Sequence, residues 1–219
     1  MKFQVLILSV VVCFIAEIPT PSNAQTPKKT WSVGPELGVN FSKFGRDADD
    51  TEYIPGLVIG GFVTYSTQNT YAYTAKVLFS QKGARDAKSN TTTRLNYVEV
   101  PVVARLFFNH RGIVRPNIFG GPFVGFLTGV KGKVSDGNFE NIDNYRDSFK
   151  TFDLGVGIGF GLNIKVDNEM YFIVDTRYTY GFNDVSQSAT YVNNQAIAIS
   201  AGLSIGIGQR YLCRTYLWN

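Results

Sequence analysis

In the stretch DLGVGIGFGLNIKV, Asp153 to Val166, glycine occupies every second position from Gly155 to Gly161, and a large apolar residue fills each position between. Alternation of this kind belongs to an extended strand, whose successive side chains point to opposite faces, and does not fit the period of about 3.6 residues of a helix. The stretch therefore builds one bulky apolar face and one nearly bare face. Any fold proposed for this chain must give both faces a use.

The same period recurs along the chain, broken by polar, turn-rich segments. WSVGPELGVNF sets Trp31, Val33, Leu37, Val39 and Phe41 against Ser32, Gly34, Glu36, Gly38 and Asn40. LVIGGFVTY carries Leu57, Ile59, Val63 and Tyr65 in one register, and YAYTAKVLF carries Tyr71, Tyr73, Ala75, Val77 and Phe79 against Thr74 and Lys76. In NYVEVPVVARLFF the set Val98, Val100, Val102, Ala104, Leu106 and Phe108 opposes Glu99 and Arg105. NIFGGPFVGFLTG is apolar on both parities, so its facing stays open. MYFIVDTRYTYGF places Asp175 and Arg177 opposite Phe172, Val174, Tyr178 and Tyr180, and AIAISAGLSIGIG completes the set. These segments predict eight strands of about ten residues, the length a tilted strand needs to cross a bilayer.

The connections alternate. Those after the first, third, fifth and seventh strands are long (SKFGRDADDTEYI, KGARDAKSNTTTR, about Val130 to Lys150, and NDVSQSATYVNNQ), and those after the second, fourth and sixth are short. Long and short connections in strict alternation are the mark of an up-and-down barrel with one rim outside the cell and one in the periplasm. No run of roughly 18 apolar residues is present to serve as a spanning helix. The net charge of +4 is not clustered, which excludes the electrostatic footprint of a nucleic-acid binder.

The beginning of the chain reads as a removable signal peptide: Lys2, then the apolar run VLILSVVVCFIA, then small residues at Ser22 and Ala24. The expected organisation is a signal peptide over 1–24 and a single barrel domain over 25–219. The mature chain would keep one cysteine, Cys213, and one histidine, His110, too few for an internal disulfide or a structural metal site. No cofactor is expected.

Period two alone does not say which face points inward. A soluble lipocalin-like barrel would turn the apolar face inward and show the other to water. Water-exposed strand faces are rich in Lys, Glu, Arg and Asp, yet charged residues make up only 17% of this chain, against about 25% in ordinary domains. Alternate glycines on a solvated strand would weaken it without return. Inside an eight-stranded barrel, where side chains barely fit, small residues let the walls close. The apolar face is therefore expected to meet lipid.

The charges agree. On the strands whose facing can be assigned, the apolar set holds none, and the opposite set holds Glu36, Glu99, Asp153 and Asp175 with Lys76, Arg105, Lys165 and Arg177, four of each sign. Opposite charges in a narrow interior can satisfy one another, so these eight are expected to form a luminal ion-pair network. For Asp153 and Lys165, near the rims, simple solvation is an equal alternative. Trp31, Phe41, Tyr65, Tyr71, Phe108, Phe152, Tyr180 and Phe182, crowded at strand ends, would form the interfacial girdles.

Taken in order, GPELGVNFSKF, LFSQKG, LNYVEVPVVARLFF, FGGPFVGFL, DLGVGIGFGL and DTRYTYGFNDV resemble the small outer-membrane β-barrel proteins of Bacteroidota described as porin-family or PorT-like. The resemblance covers essentially all of the mature chain. It implies an eight-stranded antiparallel up-and-down transmembrane β-barrel, and one branch of that family serves protein secretion and gliding. Two departures stand out. The chain continues through QRYLCRTYLWN, Gln209 to Asn219, where such barrels end on an aromatic residue, and Pro35, Pro101 and Pro122 fall inside predicted strands, where bulges are expected.

GVGIGFG does not satisfy G-x-G-x-x-G, since Phe160 and Leu162 stand where glycine is required. His110 falls in a short periplasmic turn, away from the outer rim where catalysis by such barrels takes place. The expected function is that of a non-catalytic outer-membrane anchor, scaffold or secretion-accessory module binding through its long outer loops. Alternatives are a narrow pore for small solutes or a soluble carrier of small ligands. Expected partners are outer-membrane lipid and a protein at the outer loops or the periplasmic rim, with the barrel itself monomeric.

Overall fold

A computed structural model of the chain describes residues 30–46, 51–67, 70–108, 112–134, 137, 139–142, 149–167, 169–184 and 192–207. The expected signal segment, His110, Cys213, the Gln209 to Asn219 tail and the loop acids Asp47, Asp49 and Asp50 lie outside these residues. Ten strands follow in order: β1 (Thr30–Arg46), β2 (Thr51–Glu52), β3 (Ile54–Ser66), β4 (Tyr71–Asp86), β5 (Thr91–Phe107), β6 (Val114–Val134), β7 (Glu140–Asn141), β8 (Phe152–Lys165), β9 (Met170–Gly181) and β10 (Val192–Ile207). β2 and β7 are two-residue ladders on the edges of β4 and β6. The remaining eight strands run β4-β3-β1-β10-β9-β8-β6-β5, every pair antiparallel, and the β4–β5 pairing closes the ring. Within the eight-strand ring closure leaves no free edge, which is the condition for strands to cross lipid.

Facing follows the alternation. Leu37, Val77 and Ile158 project outward with 57%, 59% and 63% of their surface exposed, while Glu36, Lys76 and Asp153 on the opposite parity are buried. The undecided strand resolves as β6 with Ile118, Pro122 and Phe126 outward and Asn117, Phe119 and Phe123 inward. Its inward phenylalanines explain why both parities looked apolar.

Those two rings account for Gly155 and Gly159 of β8. Register pairs Phe123 with Gly155 and Phe119 with Gly159. A methyl group added at Gly159 would lie 2.4 Å from Phe119 Cζ and 2.4 Å from the Thr176 carbonyl oxygen; one at Gly155 would lie 2.6 Å from Phe123 Cε1. Each ring lies flush on a stretch of wall that has no side chain of its own.

The strands exceed the expected ten residues, and unequally. β9 has 12 residues, which at a tilt of about 40° covers about 30 Å of height, enough for the hydrocarbon layer. β6 has 21 and reaches about 55 Å. β4 and β5 likewise continue through what the sequence suggested was a long loop, leaving a tip of only residues 87–90. At that tip the Lys88 and Ser89 backbone N–H groups donate to Asp86 at 2.8 and 3.3 Å, and these bonds hold the Asp86 carboxyl below its usual range. The short connections after β3, β5 and β8 all lie at the opposite rim.

The prolines do not produce the expected bulges. β1 and β10 pair Val33 with Ile205 and then Glu36 with Gly202, the same register on both sides of Pro35, with the intervening pairs missing. β4 and β5 behave alike around Pro101, and β5 and β6 around Pro122. Proline lacks an N–H donor, so the ladder loses bonds on one side while the pairing on its other side, Pro35 with Gly61 or Pro122 with Val156, holds the register. The register shift between β5 and β6 comes elsewhere, at Asn96/Tyr97, where Thr128 is the extra residue.

The aromatic girdles are in place at both levels: Trp31 stacks on Tyr65 with centroids 4.6 Å apart, and at the other end Phe126 meets Phe152 at 5.7 Å and Tyr180 meets Phe182 at 5.9 Å. Gly159→Val, which drives a branched side chain into the seat of Phe119, is expected to leave the chain unable to close. In a gel run with and without boiling, the wild type should change mobility on heating and the variant should run at the heated position under both conditions.

Candidate functional site

Among the described residues buried charge is concentrated in the lumen, at two levels. At the lower level Lys76, on β4, donates to Glu36 of β1 at 2.6 Å and to Asp175 of β9 at 3.0 Å. Arg105, on β5, grips the same Asp175 through both terminal nitrogens, with Nη1 at 3.0 Å from Oδ1, and also reaches Asn117 at 2.9 Å and Thr74 at 3.2 Å. Ser200 donates to the other oxygen of Glu36 at 2.7 Å. Four strands supply four charges whose sum is zero, and β6 and β10 add Asn117 and Ser200 to the cluster.

The upper level repeats the arrangement. Lys82 of β4 pairs with Glu99 of β5 and stands 3.8 Å from Asp153 of β8. Arg177 of β9 approaches Glu99 at 3.5 Å. Asn194 of β10 donates to Asp153 at 3.0 Å and to the Tyr97 hydroxyl at 3.2 Å. These charges also sum to zero.

Each level includes one of the phenylalanines seated on β8. Arg105 and Lys76 lie 4.4 and 5.9 Å from the centroid of Phe119, and Lys82 lies 4.7 Å from that of Phe123. The ring face attracts the cation, and the contact strengthens where water is excluded. One face of each ring thus packs on glycine while the ring system also contacts the buried cations. The space left beside the lower cluster is a cavity of about 10 Å³, bounded by Glu36, Phe62, Lys76, Arg105, Asp175 and Ser200. That is room for about one water molecule.

Of the eight residues selected from sequence, the structure brings seven into these clusters: Glu36, Lys76, Arg105 and Asp175 below, and Glu99, Asp153 and Arg177 above. Asp153, for which solvation was an equal alternative, is fully buried. Lys165 lies apart, exposed on the last residue of β8 at the short-turn rim. Lys82 holds the remaining cationic position, although the sequence assigned it to an outer loop. The apolar alternation of β4 stops at Phe79 because the strand leaves the lipid there, but the inward parity runs on through Lys76, Leu78, Ser80 and Lys82, all buried. Following the inward face alone would have found it. Among the described residues no group of three or more His, Cys, Asp or Glu side chains is arranged to hold a metal.

A closed ring of tilted strands, apolar outside and filled with compensated charge inside, defines a transmembrane β-barrel of the bacterial outer membrane. The family model described as the outer membrane protein beta-barrel domain matches residues 23–187, and the chain belongs to that family. Among solved structures it is similar to Neisserial surface protein A, with 16% identity, a TM-score of 0.50 and coverage of 81% of this chain and 98% of that one. It is also similar to the outer membrane protein OprG from Pseudomonas aeruginosa, with 10% identity, a TM-score of 0.50 and coverage of 85% and 100%. At these identities the likeness speaks to fold. No curated protein matches the chain significantly. The inverted soluble barrel is not the arrangement adopted, since the apolar face points out and the protein resides in the outer membrane.

Removing one partner from a buried cluster leaves charge without compensation, at a cost of about 3–5 kcal/mol, whereas an exposed pair contributes about 0–1 kcal/mol. Lys82→Met should therefore lower the stability of the refolded barrel toward denaturant by about 3–5 kcal/mol, and Lys165→Met by less than about 1 kcal/mol. Urea titration of the two variants in lipid bicelles, followed by tryptophan fluorescence, reads the difference.

Proposed function

We propose that the protein is a non-catalytic, monomeric membrane anchor that binds a partner through the strands and hairpins it raises above the outer face of the membrane. The observation that carries this reading is the filled lumen. Two charge clusters, each with a phenylalanine ring packed into it, cross the interior, and the cavity between the lower set of side chains is about 10 Å³. A hydrated ion needs a continuous water path, and the interior of an eight-stranded barrel is only about wide enough for its own side chains. The small space beside the lower cluster supports an anchor over a narrow pore or a small-ligand carrier, both of which require an open interior.

The extension of β4, β5 and β6 above the apolar belt supports the second half of the proposal. It has a small core of its own, Leu95, Tyr97, Leu127 and Val130 with Phe44 and Phe149 packed against it, so it presents a rigid surface rather than a set of loose loops. The finer resemblance, to PorT-like barrels, belongs to this proposal and would make a secretion accessory one form of the anchor. It rests on the ordered sequence motifs quoted above.

The test is conductance. Full-length refolded protein inserted into planar lipid bilayers is expected to give no discrete current steps under applied voltage, while Lys76→Ala combined with Arg105→Ala, which empties the lower cluster, is expected to give intermittent ones. Stable, uniform steps from the unaltered protein would overturn the anchor in favour of a pore.

A further inference from the structure

On the side of the ring formed by β4, β5 and β6, the outward-facing residues change character in a regular order. Phe79, Val98 and Phe126 stand in register as the last apolar row. Gln81, Asn96 and Thr128 follow as a polar row, joined by a Gln81–Asn96 bond of 3.3 Å and a Thr128–Asn96 bond of 3.0 Å. In the next row Arg94 lies directly opposite Lys131, and in the row beyond it Thr92 lies between Arg85 and Lys133. Directly opposed residues of an antiparallel pair share a face, so these cations all point away from the barrel axis.

Like charges set opposite each other destabilise a sheet, and compensation would be expected nearby. Arg85 has it: Glu52 stands 3.9 Å away and Asn90 accepts a hydrogen bond at 2.5 Å. Among the described residues no carboxylate lies within 4.0 Å of Arg94, Lys131 or Lys133. Arg94 is nevertheless held in a fixed position. Its guanidinium rests on the Phe139 ring at 4.3 Å, its Nη2 donates to the Pro55 carbonyl at 3.3 Å, and its buried Nε has no partner among the described residues. To reach Pro55, on β3, the side chain passes over β4 at Gly83, its register partner, where no side chain obstructs it and the φ of +146° favours glycine. Lys133 approaches the same Phe139 ring at 5.9 Å. Arg94 and Lys133 thus share one aromatic ring and Lys131 stands directly opposite Arg94, three cations without a carboxylate partner among the described residues, on the face that continues the lipid-facing wall.

Height identifies what they meet. Arg94 is four residues beyond Val98, about 13 Å along the strand and about 10 Å above the last apolar row at a tilt of about 40°. The headgroup layer of an ordinary phospholipid occupies about 5–8 Å outside the hydrocarbon. A charge at about 10 Å stands just beyond that layer, within reach of an anionic group that a larger headgroup carries outward. We propose that Arg94, Lys131 and Lys133 bind the sugar-linked phosphate of an outer-leaflet glycolipid, with the Phe139 ring against the saccharide. The guanidinium supplies planar paired donors, and the two ammonium groups add point charge.

The experiment uses full-length protein refolded in a zwitterionic detergent and titrated with lipid A, with lipid A stripped of its phosphates, and with inorganic phosphate, bound species being counted by native mass spectrometry. The wild type is expected to bind lipid A, and the Arg94→Gln, Lys131→Gln, Lys133→Gln variant to bind it about a hundredfold more weakly, since each basic residue near an anionic lipid surface contributes roughly fivefold. The Lys165→Gln variant, at the opposite rim, should bind as the wild type does. If the triple variant fails to show the heat-dependent gel shift of a folded barrel, Lys133→Glu replaces it, with an expected loss of more than about tenfold. Equal binding by the stripped lipid, or unchanged binding by the triple variant, would overturn the site. Inorganic phosphate binding as tightly as lipid A would overturn the lipid as its occupant.

Discussion

The contact between the inward phenylalanines of β6 and the glycines of β8 governs how the rest of the interior is arranged. A barrel of eight strands has an interior hardly wider than two side chains, and a phenylalanine enters it only if the facing wall is bare. Gly155 and Gly159 supply that wall, and the rings of Phe123 and Phe119 then offer surfaces to Lys82 and to Arg105 with Lys76. The acids follow the cations. Asp175 is shared between Lys76 and Arg105, and Glu99 between Lys82 and Arg177. Each level balances its own charge, so neither relies on the other or on solvent, which matters where the surrounding lipid offers no polar substitute.

The backbone ladder shows the same economy. Proline inside a closed barrel removes hydrogen bonds that lipid cannot replace, yet Pro35, Pro101 and Pro122 each leave the register unchanged because the neighbouring strand on the other side remains bonded. The extra residue sits instead at Thr128, close above the apolar belt, where a hydroxyl can reach the Asn96 carbonyl. Below it the wall is regular. Above it β6 bends into the extension that holds the small core of Leu95, Tyr97, Leu127 and Val130.

That extension separates two roles that the same strands perform at different heights. Within the membrane β4, β5 and β6 are selected for apolar residues outward and compensated charge inward. Beyond it the outward face turns polar and then basic while the inward face, apart from Lys82, turns apolar, as in a small water-soluble sheet packed on its own core. The exchange of faces occurs over about two rows, marked by Gln81, Asn96 and Thr128.

How much of this was legible in the chain depends on the period of the signal. Period-two alternation with glycine, serine and asparagine on one parity and no charge on the other determined a transmembrane barrel of eight strands, their facing, the girdles and the inward position of seven of the clustered charges, because lipid outside and a cramped lumen inside each restrict residue type at every second position. Where the strands pass above the lipid that restriction is lifted. Strand ends, the hairpin tip at residues 87–90 and the membership of Lys82 rather than Lys165 were therefore decided by register and by the shape of the closed ring. β6 was undecidable for a related reason: an inward phenylalanine reads like an outward one until the glycine opposite it is known, and that pairing exists only between strands brought together by the fold.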